Sequence, residues 1–170
     1  KEIRRRGVAR FEEMGLPNRK QEVWRFTNVE PIIQTPFHQR TRHGDHGLAQ
    51  KQIQSFLFGA GACAELVFVN GLYAPELSNL LDLPLGVDAT SLTRGVSDYS
   101  RVVKSHLDKY LEHADVFAAV NSACLHDGAY IHIRQGVQVE RPIHIIFVST
   151  NDEENLAVCS RNLVVVEKNS

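Results

Sequence analysis

The sequence predicts an α+β protein, because apolar residues follow two different periodicities in its two parts. Over residues 1–127 the clearest pattern is helical, with apolar side chains three or four positions apart. From Gly128 the pattern changes to alternation, as in Ile131 and Ile133. Hydrophobic residues make up 43% of the 170 residues, which is enough for a core. We expect a mainly helical N-terminal domain over residues 1–127 and a β-rich domain over residues 128–170.

Two helices are predicted near the start of the chain. Residues 1–14 place apolar side chains near helical spacing, and Gly15 is suited to end that helix. Pro17 is suited to the first turn of a second, short helix, which would carry Trp24, the single tryptophan. Residues 31–50 contain prolines, glycines and three histidines, and we interpret them as a mobile loop.

The middle of the chain predicts a small strand–turn element and further helices. Residues 66–69 are β-rich and the pair Asn70–Gly71 is a strong turn signal, with a second strand expected near Val87. Residues 98–113 have one apolar face and give the clearest helix. Asp115 is placed to cap the helix that follows.

Three kinds of fold remain open for the β-rich residues. Short, closely spaced strands are typical of a sandwich, a barrel or a solenoid of parallel coils, and periodicity does not choose among them. No repeat of fixed length is present, which counts against a solenoid. The last residues form a strand and a turn with nothing after them, so we expect a fragment of a longer protein. The alternating runs lie at residues 131–133, 137–139, 143–147, 156–158 and 163–166, with Gly136 and Pro142 between them.

Composition disfavours several classes of protein. The chain has 19 basic and 20 acidic residues, so a generally basic nucleic-acid-binding protein is disfavoured, although Arg4–Arg6 begin a local basic stretch. No apolar run approaches the roughly 20 residues that span a bilayer, and the charged start lacks the apolar segment of a signal peptide. Three scattered cysteines argue against a disulfide framework and favour a reducing, cytosolic compartment.

Two groups of residues are candidates for metal binding. His38, His43 and His46 share a glycine-rich loop, but no cysteine or carboxylate pattern accompanies them, and we interpret them as solvated histidines. Cys124 and His126 are spaced to share iron or zinc, and we prefer the alternative of a core cysteine followed by a histidine in a turn. We therefore predict no metal ligand, and cofactor-binding residues stay unassigned.

The other cysteines and two helical histidines are interpreted as structural. Cys63 and Cys159 have no partner at a recognisable spacing. His106 and His113 lie seven residues apart, so they point the same way from the helix over residues 98–113. We place them on the rim of its apolar face.

The remaining ionisable residues give no catalytic motif. His132 and His144 alternate with core isoleucines, so we expect them to face solvent. The acidic run over residues 152–154 is interpreted as an exposed loop and Asp127–Gly128 as a turn. No G-x-S-x-G, P-loop or G-x-G-x-x-G motif is present. We predict no catalytic residue.

Four segments, in order, resemble one protein family. "GLPNRKQEVWRFTN" (15–28) resembles a signature near the start of the SufD proteins, and "VFVNGLYAPELS" (67–78) resembles their strand–turn segment. "FAAVNSACLHDGAYIHIRQGVQVERPIHI" (117–145) resembles the strongest block of the SufB/SufD family of the SUF iron–sulfur cluster assembly system. "RNLVVVEKNS" (161–170) resembles a later coil of that family. The "WRFTN" element is similar to SufD rather than SufB.

The resemblance implies a more specific fold. It implies an N-terminal helical region followed by the first coils of a right-handed parallel β-helix. Residues 128–170 would then be the truncated start of the β-helix core. It also implies that Trp24 buries its ring and so anchors the N-terminal helices, while the neighbouring basic residues form a solvated rim.

The resemblance also implies a function, which is that of a non-enzymatic scaffold in the cytoplasm. A SufB-like paralogue and a SufC-like ABC ATPase are the implied partners, and their binding surfaces are expected beyond Ser170. The iron–sulfur cluster or iron would belong to the assembled complex. For this fragment no cofactor, nucleic acid or membrane is expected.

Two alternative functions are weighed against the scaffold. A carbohydrate-active β-helix enzyme needs carboxylates clustered on one outer face, and residues 128–149 contain only Glu140. A nucleic-acid-binding module would use the basic N-terminal stretch.

Overall fold

The computed structural model describes residues 1–40, 47–110, 115–150 and 154–170. Within these residues six α-helices are present: α1 (Glu2–Met14), α2 (Glu30–Gln34), α3 (Gln50–Ile53), α4 (Leu92–Asp98), α5 (Ser100–His106) and α6 (Val116–Cys124). The same residues contain six strands: β1 (Ala64–Val69), β2 (Leu72–Tyr73), β3 (Val87–Ser91), β4 (Ala129–Ile133), β5 (Ile143–Val148) and β6 (Leu163–Val166). Short 3₁₀ turns lie at Glu22–Trp24, Gln54–Phe56, Gly59–Gly61 and Pro75–Leu77.

The strands form two three-stranded sheets with the orders β2-β1-β5 and β3-β4-β6. In each sheet the central strand is antiparallel to one neighbour and parallel to the other. The predicted α+β class is confirmed, but the predicted β-helix is wrong. A β-helix stacks parallel coils, whereas both sheets here are mixed and helices α4 to α6 intervene between β1 and its parallel partner β5. The predicted domain boundary after residue 127 stays a prediction.

Strand β1 lies at the centre of the core, and all six of its residues are buried. Leu66 and Phe68 pack against Ile131 of the second sheet. Val67 and Val69 point to the opposite face and pack in a separate cluster with Ile53 and Leu77 among others. Because both faces are covered, the strand is a continuous apolar run, and each fully buried large side chain contributes about 1.5–3 kcal/mol.

The predicted turn after β1 is confirmed. Asn70 and Gly71 have φ angles of 51° and 83°, and positive φ at both central residues is the requirement of a tight hairpin turn. Asn70 Nδ2 donates to Thr150 Oγ1 at 2.6 Å, and the Thr150 backbone amide donates to Asn70 Oδ1 at 2.9 Å. These bonds tie the hairpin to the end of β5.

The helical predictions are correct at α1 and α6 and wrong for the helix expected from Pro17. Helix α1 ends at Gly15, whose φ is 65°, and the Asp115 carboxylate caps α6 by accepting from the Ala118 amide at 3.0 Å. The helix predicted from Pro17 is replaced by the turn at Glu22–Trp24. Helix α2 occupies part of the predicted loop over residues 31–50, and residues 41–46 lie outside the described chain. No described helix combines the length and apolar character of a membrane span.

The clearest predicted helix, over residues 98–113, is shorter than expected. Helices α4 and α5 meet at Tyr99, and α5 ends at His106. Residues 111–114 lie outside the described chain. The predicted strand at residues 137–139 does not form. Its neighbour Gly136 has a φ of 75°, which a strand does not accommodate.

Trp24 anchors the segment after α1 to helix α6. Its ring lies 5.4 Å from that of Phe117, centroid to centroid, in an edge-to-face arrangement. The ring is only partly buried, while Arg19, Lys20 and Arg25 are exposed. The predicted anchoring and solvated rim are confirmed, although burial of the ring is incomplete.

Helix α1 packs closely on α6 because Gly7 has no side chain. A Cβ at Gly7 would lie 2.3 Å from the Ala123 amide nitrogen and 2.9 Å from the Ala119 carbonyl oxygen. Both groups belong to the backbone of α6, so no side-chain rotation makes room. The glycine therefore sets the separation of the two helices.

The Arg161 side chain joins three parts of the chain. Its guanidinium donates to Asp108 Oδ1 at 3.2 Å, to Asn121 Oδ1 at 2.7 Å and to Ser122 Oγ at 3.0 Å. Arg6 of α1 pairs with the other oxygen of Asp108. The side chains of Arg161 and Asp108 are only 13% and 8% exposed, so the charges are largely removed from water. The network holds α1, α6 and the segment before β6 together.

Substituting Gly7→Ala tests the contact between α1 and α6. We expect a net loss of about 1–3 kcal/mol in the free energy of unfolding, because the added methyl group overpacks the interface. This loss should appear although alanine favours an isolated helix by about 1 kcal/mol. Urea denaturation of Gly61→Ala is the matched control, since its Cβ would meet only Phe58 Cβ at 3.8 Å. Equal midpoints for the two variants would contradict the packing.

Substituting Arg161→Met tests the buried ionic network. We expect the free energy of unfolding to fall by about 2–4 kcal/mol, because Asp108 loses one of its cations and two α6 side chains lose a donor. Arg94→Met is the control: its ion pair with Asp98 has exposed side chains (74% and 45%), so a change within about 0.5 kcal/mol is expected. Similar urea midpoints for both variants would show that the network contributes little.

Candidate functional site

The structure brings together two cysteines that lie far apart in the sequence. Cys124 ends α6, and Cys159 lies in the segment before β6. The Cys159 thiol has the Cys124 thiol and the Gln39 side chain as neighbours. Burial and then the neighbouring Cys124 raise the pKa of the Cys159 thiol to about 11. The structural interpretation of Cys159 missed this pairing, because no spacing rule links two thiols across intervening strands.

Backbone and side-chain hydrogen bonds fix the position of this thiol pair. On the helix side, Asn121 Nδ2 donates to the Ser160 carbonyl at 3.1 Å. On the other side, the Ala157 amide donates to the His38 carbonyl at 2.8 Å. Gln39 Nε2 donates to the Cys124 carbonyl at 2.7 Å. The segment over residues 155–161 is therefore held between α6 and residues 38–39.

The structure does not add His126 to a metal-binding group with Cys124. Across the described ranges, no group of three or more His, Cys, Asp or Glu side chains is arranged to hold a metal ion. His126 Nδ1 is buried and has no hydrogen-bond partner among the described residues. His38 takes part in a backbone bridge to Leu156, while His43 and His46 lie outside the described residues.

Cys63 is a structural cysteine, as the sequence predicts. Its side chain is buried, with 3% exposure, and its thiol donates to the Arg141 carbonyl at 3.1 Å. It lies at the start of β1, apart from the thiol pair. All three cysteines are free thiols in this structure.

The prediction that His132 faces solvent is wrong. Its side chain does point away from Ile131, as alternation requires, but that face is covered and His132 is only 6% exposed. His132 Nε2 lies 2.8 Å from Glu167 Oε1. This hydrogen bond, followed by one from the Gln135 amide, lowers the pKa of the Glu167 carboxyl. The pair joins β4 to the chain just after β6.

The other histidines make local contacts. The His144 ring stacks on Phe58 with centroids 4.0 Å apart, so it is half-buried rather than fully solvent-facing. His106 Nδ1 lies 2.9 Å from Tyr110 Oη. His113 lies outside the described residues, as do Asp152 and Glu153 of the acidic run.

A groove of about 490 Å³ lies beside the start of α1. Its floor is apolar and includes Val103 and Leu107, while its rim is mainly basic. Two of the rim cations already make structural contacts: Arg4 Nε donates to the Leu125 carbonyl at 2.8 Å and Arg6 pairs with Asp108. The predicted local basic stretch thus contributes to packing.

Each sheet ends in an edge strand that leaves apolar side chains in solvent. Strands β5 and β6 are the outer strands of their sheets. Phe147 on β5 is 46% exposed, and Val164 and Val166 on β6 are 54% and 55% exposed. Within the described part of the chain, no further strand pairs with either edge. Such edges can accept another strand.

Comparison with known proteins identifies the family. Residues 1–145 match the family model of the SufBD protein N-terminal region. The chain is similar to an iron–sulfur cluster assembly SufBD family protein of Synechocystis sp., with 30% identity over 155 residues, which cover 91% of this chain and 34% of that protein. The chain thus spans about a third of the length of this relative. Because the family model matches most of its residues, the chain belongs to the SufBD family and corresponds to its N-terminal region.

Proposed function

We propose that the protein is a non-enzymatic scaffold component of an iron–sulfur cluster assembly complex. The observation that carries this proposal is the match of residues 1–145 to the N-terminal region of SufBD proteins. The similar protein of Synechocystis sp. carries the name of iron–sulfur cluster assembly. Family membership therefore supports involvement in this process, and the scaffold role is the more specific part of the proposal.

Among the described residues, two sheet edges are open to pairing with further strands. The largely buried ionic groups of Arg161 and Asp108 bond to each other and to neighbouring helices. These bonds hold α1, α6 and the segment before β6 together. By contrast, the outer edges of β5 and β6 expose apolar side chains such as Phe147 and Val164. Edges of this kind favour association with further strands.

The proposed partners are a SufB-like paralogue and a SufC-like ABC ATPase, both engaged by the whole protein that contains this chain. The "WRFTN" element at residues 24–28 supports a SufD-type subunit within the family. Three free cysteines support a reducing, cytoplasmic location. In this proposal iron, or the iron–sulfur cluster, is carried by the assembled complex.

A carbohydrate-active β-helix enzyme loses its support, because that alternative requires the fold that the mixed sheets contradict. The nucleic-acid-binding alternative is disfavoured because two cations of the basic stretch make contacts within the protein. Arg4 and Arg6 make contacts with Leu125 and Asp108 within the protein.

Co-purification tests the proposal. The whole protein would be tagged and expressed with its paralogue and the ABC-type ATPase, alongside residues 1–170 alone and an unrelated ABC ATPase as a specificity control. We expect the whole protein to retain both partners and residues 1–170 to retain neither, because the partner surfaces are proposed to lie beyond Ser170.

The alternative outcomes separate the parts of this proposal. Retention of neither partner by the whole protein would contradict the scaffold role. Retention of the ATPase by residues 1–170 would contradict the proposed location of the partner surface, since this chain would then carry one itself.

A further inference from the structure

We propose that Cys124 and Cys159 form a reversible disulfide on exposure to a peroxide, and that this bond locks the segment before β6 onto the C-terminal end of α6. The inference depends only on residues of this chain. It is therefore independent of the proposed role in cluster assembly.

Cys124 and Cys159 lie on two segments whose neighbouring residues are bonded to each other. Asn121 lies one helical turn before Cys124 and binds the carbonyl of Ser160, the residue after Cys159. Residues one turn apart share a helix face, so Cys124 is directed at the same segment. Gln39 closes the other side by donating to the Cys124 carbonyl.

The surrounding contacts hold this arrangement in register. Arg161 fixes the chain two residues after Cys159 by binding Asn121 and Ser122 of α6. The Ala157 amide fixes the chain two residues before Cys159 by donating to His38. A disulfide needs closely spaced Cα atoms and side chains directed at each other, and the anchors on both sides of Cys159 limit the movement of its segment relative to α6 and residues 38–39.

The pair is accessible where the third cysteine is not. Cys124 and Cys159 are both partly exposed, so a small oxidant reaches them. Cys63 is buried and its thiol is bonded to a carbonyl oxygen of the chain. Cys63 is therefore an internal control, because it is an isolated thiol that can be compared with the pair of Cys124 and Cys159.

One equivalent of hydrogen peroxide is the oxidant for formation of this disulfide. The Cys124 thiolate attacks one peroxide oxygen, the O–O bond breaks, and a sulfenic acid forms with release of hydroxide, which takes up a proton to give water. Cys159 sulfur then attacks the Cys124 sulfur, its thiol proton leaves with the hydroxyl group as water, and the S–S bond forms. Both sulfurs are oxidised by one electron each, and the peroxide is reduced to two waters.

The order of these steps follows from the protonation state of the Cys159 thiol. The raised pKa of Cys159 keeps that thiol protonated at neutral pH. The thiolate is the reactive form of cysteine, so Cys159 is a slow initial nucleophile, and we assign it the resolving role. A dithiol reagent reverses the bond by exchange.

The bond would restrain a large part of the β structure. Strands β4 and β5 both lie between Cys124 and Cys159 in the sequence. A disulfide that closes a loop restricts the unfolded chain and so favours the folded one. The oxidised protein should therefore melt at a higher temperature than the reduced protein.

Peptide mapping tests the inference directly on the wild-type chain. Trypsin cleaves after lysine and arginine but not before proline, so the three cysteines fall in the separate peptides 52–94, 110–134 and 135–161. The folded chain would be treated with hydrogen peroxide, denatured in an alkylating agent and digested without reductant. We expect peptides 110–134 and 135–161 to be linked, with the linkage lost after dithiothreitol, and Cys63 to be recovered alkylated.

Three variants test which cysteines form the disulfide. Cys63→Ser should keep the linkage and the rise in melting temperature, whereas Cys124→Ser and Cys159→Ser should lose both. Absence of the linked peptide from the wild-type chain, or equal linkage of Cys63 to either cysteine, would overturn the inference even if a variant failed to fold. Neither result bears on partner binding, so the two proposals succeed or fail separately.

Discussion

The buried guanidinium of Arg161 is the interaction on which the rest of the structure depends. It connects the segment before β6 to Asn121 and Ser122 of α6 and to Asp108 after α5. Arg6 extends the same network to α1 through Asp108. The backbone of Arg161 also lies so close to Gly128 that a Cβ there would be 2.0 Å from its carbonyl oxygen. One residue thus ties the entry of β6 into its sheet to both α1 and α6.

Short sequence motifs predicted the elements whose conformation depends on only one or two residues. The end of α1 at Gly15, the cap of α6 at Asp115 and the hairpin at Asn70–Gly71 each depend on one or two residues with a strong conformational preference. These elements were predicted correctly. The family was also recognised from short motifs spread over most of the chain, and the match over residues 1–145 confirms it.

The features that were missed depend on contacts between distant residues. Alternation correctly placed His132 opposite Ile131, but it carries no information on what covers that face, where His132 bonds to Glu167 and is only 6% exposed. The parallel partners of β1 and β4 come late in the chain, while their antiparallel partners β2 and β3 come earlier. Periodicity does not report pairing direction and left three kinds of fold open. The family resemblance then implied parallel coils, which the mixed sheets contradict. The contact between Cys124 and Cys159 was missed for the same reason.

The same anchoring positions both the thiol pair and the exposed edge strand β6. The segment over residues 155–161 is not a strand, yet bonds to α6 and to residues 38–39 hold it on both sides. Because it leads directly into the exposed edge strand β6, its position determines how that edge is presented to solvent. A covalent link at Cys159 would act on the joint that Arg161 already holds by charge and hydrogen bonds. Oxidation of the Cys124–Cys159 pair would therefore act on the position of the β6 edge through residues 155–161. Neither property is predicted by the sequence of that segment alone.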